Sequence, residues 1–73
     1  MEDIKEKFWK RIVELRKAKW LSQEKLGFLS KIHRTYISEI ERGEANVSLE
    51  HICKLAMALW VDLSKLFDSI WQI

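Results

Sequence analysis

The stretch HRTYISEIERG, residues 33–43, decides how the rest of the chain is read. Its only aliphatic residues, Ile37 and Ile40, are three apart, so as a helix it seats one narrow face and leaves the others in water. Arg34, Thr35, Tyr36 and Ser38 then project, and Gly43 supplies a stop. A helix with two apolar anchors and a hydrogen-bonding tip is suited to touch something outside its own fold.

Helical signals continue on both sides. Ile4, Phe8, Ile12 and Leu15 step by four, four and three, drawing one apolar stripe along a first helix. Ser22, His33, Ser48 and Asp62 are candidate N-caps, serine and aspartate because a side-chain oxygen can accept from first-turn N–H groups, histidine less favourably. Each has a hydrophobic residue before it and another five positions beyond that one: Leu21 and Leu26, Ile32 and Ile37, Val47 and Ile52, Val61 and Leu66. Such a pair staples the chain entering a helix to its first turns. The spacing predicts five helices, near 3–19, 23–30, 34–42, 49–59 and 63–71. With no proline and two glycines, strands joined by tight turns are disfavoured. Residues 1–73 read as a single all-α domain without repeats or linkers.

The link from Ser30 to His33 is too short to lay the second and third helices antiparallel, so they cross. That is a helix–turn–helix, about residues 22–43, whose second helix can enter a DNA major groove. Gly27, one turn before the link, costs about 1 kcal/mol in mid-helix; close backbone approach between the crossing helices accounts for it.

Composition narrows the alternatives. The charged fraction of 33% and the 48% hydrophobic content suit a soluble globular chain. No apolar run approaches a membrane span, and the start MEDIKEKFWKR is unlike a secretion signal, so no membrane partner is expected. The single cysteine, Cys53, has no internal partner, which points to a reducing cytoplasm; it reads as a small buried hydrophobe. A net charge of +2 is mild, so any nucleic-acid role depends on where charges sit. His33 and His51 lack further ligands at metal spacing, there is no glycine-rich phosphate loop, and no nucleophile has a base at predictable distance. An enzyme, a cofactor, a metal site and a small-molecule substrate are therefore not expected.

The segments LSQEKL, HRTYISEIERG, SLEHICKLAMAL and DLSKLF resemble the helix–turn–helix domains of the phage-repressor (Cro/C1-type, Xre) family. The run HRTYISEIERGEANVSLEHI is most similar to restriction–modification controller proteins, and the likeness extends from about residue 9 to 68. It implies a five-helix, lambda-repressor-like, homodimeric DNA-binding domain that regulates transcription from a palindromic double-stranded operator, with RNA polymerase as a further partner. It also implies an ion pair between Arg16 and Glu41, bracing the third helix against the first. Arg34 and Thr35 are the leading candidates for base readout, with Tyr36 and Ser38 reaching bases or backbone. Gln23, Asn46, Ser48 and His51 surround helix N-termini, which suit phosphates without lysine; the basic residue common in the family is Ala45 here.

The chain departs from the family at Trp9, Trp20, Lys31 and Trp60, where glycine is usual. Positions 20 and 60 follow helices, where glycine normally turns left-handed, so tryptophan there implies strain or a rearranged helix end. Leu49, Ile52, Ala56 and Leu59 form the expected core stripe of helix four. Leu55, Leu63, Phe67, Ile70 and Trp71 exceed what so small a domain buries and form the expected dimer surface, about residues 49–71. Alternatives of a different kind are a phage-type repressor or antitoxin of the same fold, and a helical protein-interaction module that does not bind DNA.

Overall fold

Four capping side chains set where helices begin. Ser22 Oγ accepts from the Lys25 N–H at 2.9 Å, His33 Nδ1 from Thr35 at 3.0 Å, Ser48 Oγ from His51 at 3.2 Å and Asp62 Oδ1 from Lys65 at 2.8 Å. In the computed structural model, which describes residues 4–68, the helices are α1 Ile4–Ala18, α2 Gln23–Ser30, α3 Arg34–Glu41, α4 Leu49–Ala58 and α5 Leu63–Leu66. Among the described residues there is no strand. The fifth helix, predicted from the spacing to reach 71, is one turn long and closed by Phe67; residues 69–71 of that expectation lie outside the described residues. No helix among the described residues is long and apolar enough to cross a membrane.

The same hydrogen-bond pattern closes the first four helices. The N–H groups of Leu21, Ile32, Glu44 and Val61 reach back five residues to the carbonyls of Arg16, Gly27, Glu39 and Ala56, at 2.9–3.1 Å. This closure requires a left-handed residue just before the donor. Those residues are Trp20 (φ 59°), Lys31 (φ 60°), Gly43 (φ 73°) and Trp60 (φ 60°). The helix ends are thus not rearranged: the two tryptophans and the lysine adopt the glycine conformation. What compels them is the next residue, because Leu21, Ile32 and Val61 lie in the core or packed against it. A single apolar side chain both seals one helix and staples the next.

The core draws on every helix: Phe8, Ile12 and Leu15; Leu26; Ile37 and Ile40; Leu55, Ala56, Ala58 and Leu59; and Leu66. All eight residues of the staple pairs belong to it or pack on it. Two expectations are corrected. Ile4, first in the α1 stripe, is 54% exposed, one turn outside the core. On α4, Leu49 is 73% exposed and Leu55 is fully buried. Ile52, Leu55, Ala56 and Leu59 satisfy helical periodicity as well as the expected set does, and Leu49, in the first turn, overhangs the core. Leu55 is therefore not available to a dimer surface.

Candidate nucleic-acid interface

Gly27 decides how closely α2 crosses the start of α3. A Cβ at Gly27 would sit 2.8 Å from the Ile32 carbonyl oxygen and 3.4 Å from the Arg34 nitrogen, so a side chain would push the helices apart. With α2 this close, Ile37 and Ile40 are buried against the scaffold while Arg34 and Thr35 stay exposed.

The other end of α3 is tied to α1. Arg16 Nε lies 2.7 Å from Glu41 Oε2, and its Nη2 donates to Glu41 Oε1 at 3.0 Å. Arg16 Nη1 donates to the Leu21 carbonyl at 2.8 Å, and Gln23 Nε2 donates to Glu41 Oε1 at 3.0 Å. One buried carboxylate thereby joins α1, the turn after it, α2 and α3. A buried pair so fully hydrogen-bonded fixes orientation more than it adds stability.

Between the N-terminal turn of α2 and the exposed side of α3 is an open cleft of about 730 Å³. Arg34, Thr35, Ser38 and Arg42 line it from α3 and its cap, Ser22, Gln23 and Glu24 from the start of α2, and Arg16 from α1. The Ser38 hydroxyl accepts from Arg42 Nη1, and Arg42 Nη2 pairs with Glu44 at 3.1 Å. The hydrogen bond and charge of Glu44 hold the Arg42 pKa above its ordinary value. Arg34 Nη1 lies 3.6 Å from Glu24 Oε2, both side chains largely in solvent.

A second cluster lies where α3, the loop after it and α4 meet. The Tyr36 hydroxyl donates to the Asn46 carbonyl at 2.8 Å, and its ring meets His51 edge-on with centroids 4.7 Å apart. Ser48 Oγ and His51 Nδ1 are 3.0 Å apart, and Lys5 Nζ donates to Asn46 Oδ1 at 3.1 Å. Lys5 brings a cation to the loop that carries Ala45.

The expected residues are thus divided. Arg34, Thr35 and Ser38 share the cleft with Gln23, whose amide is engaged with Glu41. Tyr36 packs against the core with its hydroxyl engaged, beside Asn46, Ser48 and His51. Two cleft residues, Arg42 and Glu24, went unpredicted. Arg42 was legible, one helical turn after Ser38 on the same side. Glu24 was not, because its partner lies across the turn. Trp9 packs against Gly43: a Cβ on that glycine would meet the indole at 2.9 Å.

Of the expected dimer residues, Leu63 is 45% exposed, whereas Phe67 is half-buried and stacked on Phe8, ring centroids 5.7 Å apart. Ile70 and Trp71 lie outside the described residues. Cys53 is half-buried rather than buried, between Leu49 and the 77%-exposed Met57 on one strip of α4.

A helix pair crossing over a glycine, with a polar second helix projecting beside arginines, defines the helix–turn–helix class of DNA-binding proteins. The helix–turn–helix family matches residues 12–66, and the chain belongs to it. Within that family it is a DNA-binding transcription regulator of the restriction–modification controller type. The control protein C.MunI of a Mycoplasma species is 44% identical over 71 residues, covering 96% of both chains. C.BamHI of Bacillus amyloliquefaciens is 56% identical over 48 residues, 66% of this chain and 59% of that protein. Among solved structures, the controller C.AhdI of Aeromonas hydrophila superposes with a TM-score of 0.83 at 52% identity, covering 86% of this chain and 96% of the other. The controller C.Esp1396I gives a TM-score of 0.89 at 28% identity, covering 96% and 92%.

Proposed function

We propose that the chain binds a palindromic operator as a homodimer, laying α3 in the major groove of each half-site and regulating transcription in the cytoplasm. The observation that carries this is the two-sidedness of α3: Ile37 and Ile40 are buried, while Arg34 and Thr35 at its tip are exposed. Arg34 pairs with guanine O6 and N7, and Thr35 offers a hydroxyl or methyl to a neighbouring base. Ser38 reaches the same groove. Arg42 and Gln23 contact phosphates flanking the cleft, as do the N-terminus of α4 with Ser48, Asn46 and His51. Tyr36 links these two layers and meets the sugar–phosphate backbone from the α4 side. One relative supports the assembly: C.Esp1396I has been solved as a tetramer on its natural 35 base-pair operator. The dimer surface comprises exposed apolar groups of α4 and α5, Leu49, Met57 and Leu63, with Phe67 at its edge. RNA polymerase is a further partner where the dimer activates its promoter.

Titration against duplex DNA at two salt concentrations tests this reading. Binding through phosphates weakens steeply with salt as counterions are released, whereas a protein-interaction module gives no complex at either concentration. Arg34→Ala is expected to cost about 1–3 kcal/mol and relax selectivity at one base-pair position. Equal weakening on all sequences would make Arg34 a phosphate contact only.

A further inference from the structure

We propose that Glu24, on α2, is a specificity-determining residue that positions the Arg34 guanidinium for guanine. This rests on the reading of Arg34 as a base-reading group. Two observations place the carboxylate there. Its Oε2 lies 3.6 Å from Arg34 Nη1 across the mouth of the cleft. Glu24 is also one helical turn before Gly27, and residues three apart share a helix face. That face is the one on which a Cβ at Gly27 would meet the Ile32 carbonyl oxygen at 2.8 Å and would touch the Arg34 backbone at 3.4–3.5 Å. The crossing that seats α3 therefore also carries Glu24 to the Arg34 side chain.

The pair is largely exposed, so it contributes little to folding stability. Its consequence is conformational. A free arginine samples many rotamers, and a carboxylate on one side restricts the guanidinium to those that present its other donors outward. A guanine pair takes two of the five N–H groups, so both contacts can coexist. A carboxylate this close to DNA also repels phosphate, which penalises sequences that leave Arg34 without a guanine.

Selection from duplexes with a randomised centre, using wild-type, Glu24→Gln and Arg34→Ala proteins, separates the possibilities. Both side chains are exposed, and circular dichroism checks that each variant folds. The expected result is that Glu24→Gln lowers guanine preference at the base pair read by Arg34 by about 3- to 10-fold, part of the roughly 5- to 150-fold that a bidentate contact supplies. Preference elsewhere in the selected motif is unchanged. If Glu24→Gln tightens binding to all sequences equally and leaves that preference intact, Glu24 only repels phosphate and the inference fails while Arg34 keeps its role. If Arg34→Ala alters no single position, the base-reading assignment itself fails, and the inference with it.

Discussion

Trp20 and Trp60 hold left-handed backbone with their indoles 95% and 84% exposed, so no burial offsets the conformational cost. Trp20→Gly and Trp60→Gly each relieve about 1–2 kcal/mol of left-handed strain, less about 0.5–1 kcal/mol for glycine's greater freedom in the unfolded chain. Each substitution is expected to raise Tm by a few degrees, at roughly 4–8 °C per kcal/mol for a domain of this size. Melting curves without a gain would refute the strain. Gly43 presents the opposite case, since it needs its left-handed φ and also lies under Trp9. Gly43→Ala is expected to cost at least ~1–2 kcal/mol. In a Trp9→Ala background the cost should shrink, because the steric part disappears; a double-mutant cycle of thermal denaturation measures that coupling.

At the scale of elements, what holds α3 in place is one buried carboxylate and one glycine. Removing Arg16 leaves Glu41 buried with, among the described residues, only Gln23 donating to it. Arg16→Ala is expected to destabilise the fold by about 3 kcal/mol, the lower end for a broken buried pair because Arg16 keeps some exposure; urea denaturation reads this. The start of α5 is pH-sensitive. The Lys65 N–H and the Ser64 hydroxyl hold the Asp62 carboxylate below its ordinary pKa. A depressed folded-state pKa gives stabilisation that is fully present above the unfolded value, about 3.9, and is lost as pH falls through the folded value. The Tm advantage of wild type over Asp62→Asn should therefore be constant near neutrality and narrow below about pH 4. A gap that stays constant into acid would rule out this capping charge.

For the molecule as a whole, the proposed operator binding requires two copies of α3 about one DNA turn, roughly 34 Å, apart. The exposed apolar groups on α4 and α5 are the means proposed above, and charge at their centre should undo it. Met57→Glu and Leu63→Glu are both expected to give a monomer by sedimentation equilibrium with helical content unchanged. Operator affinity should fall far more than affinity for random duplex, because only the palindrome needs both copies. A variant that stays dimeric would move the interface elsewhere.

Caps, staples and crossing were legible in the chain because each depends on residues within one or two turns: Ser22, His33, Ser48 and Asp62 cap as their neighbours imply, and the link from Ser30 to His33 is too short for anything but a crossing. Gly27 likewise announced a close approach by being glycine in mid-helix. Tertiary packing decided the rest. Periodicity specifies the spacing of apolar residues along α4 but not which of two overlapping stripes turns inward, so Leu55 entered the core and Leu49 did not. The Glu24–Arg34 pair, the seat of Trp9 on Gly43 and the anchoring of Tyr36 to Asn46 join residues that local sequence leaves independent. Only the folded chain brings those groups within a few ångströms, where charge, hydrogen bonding and steric exclusion act.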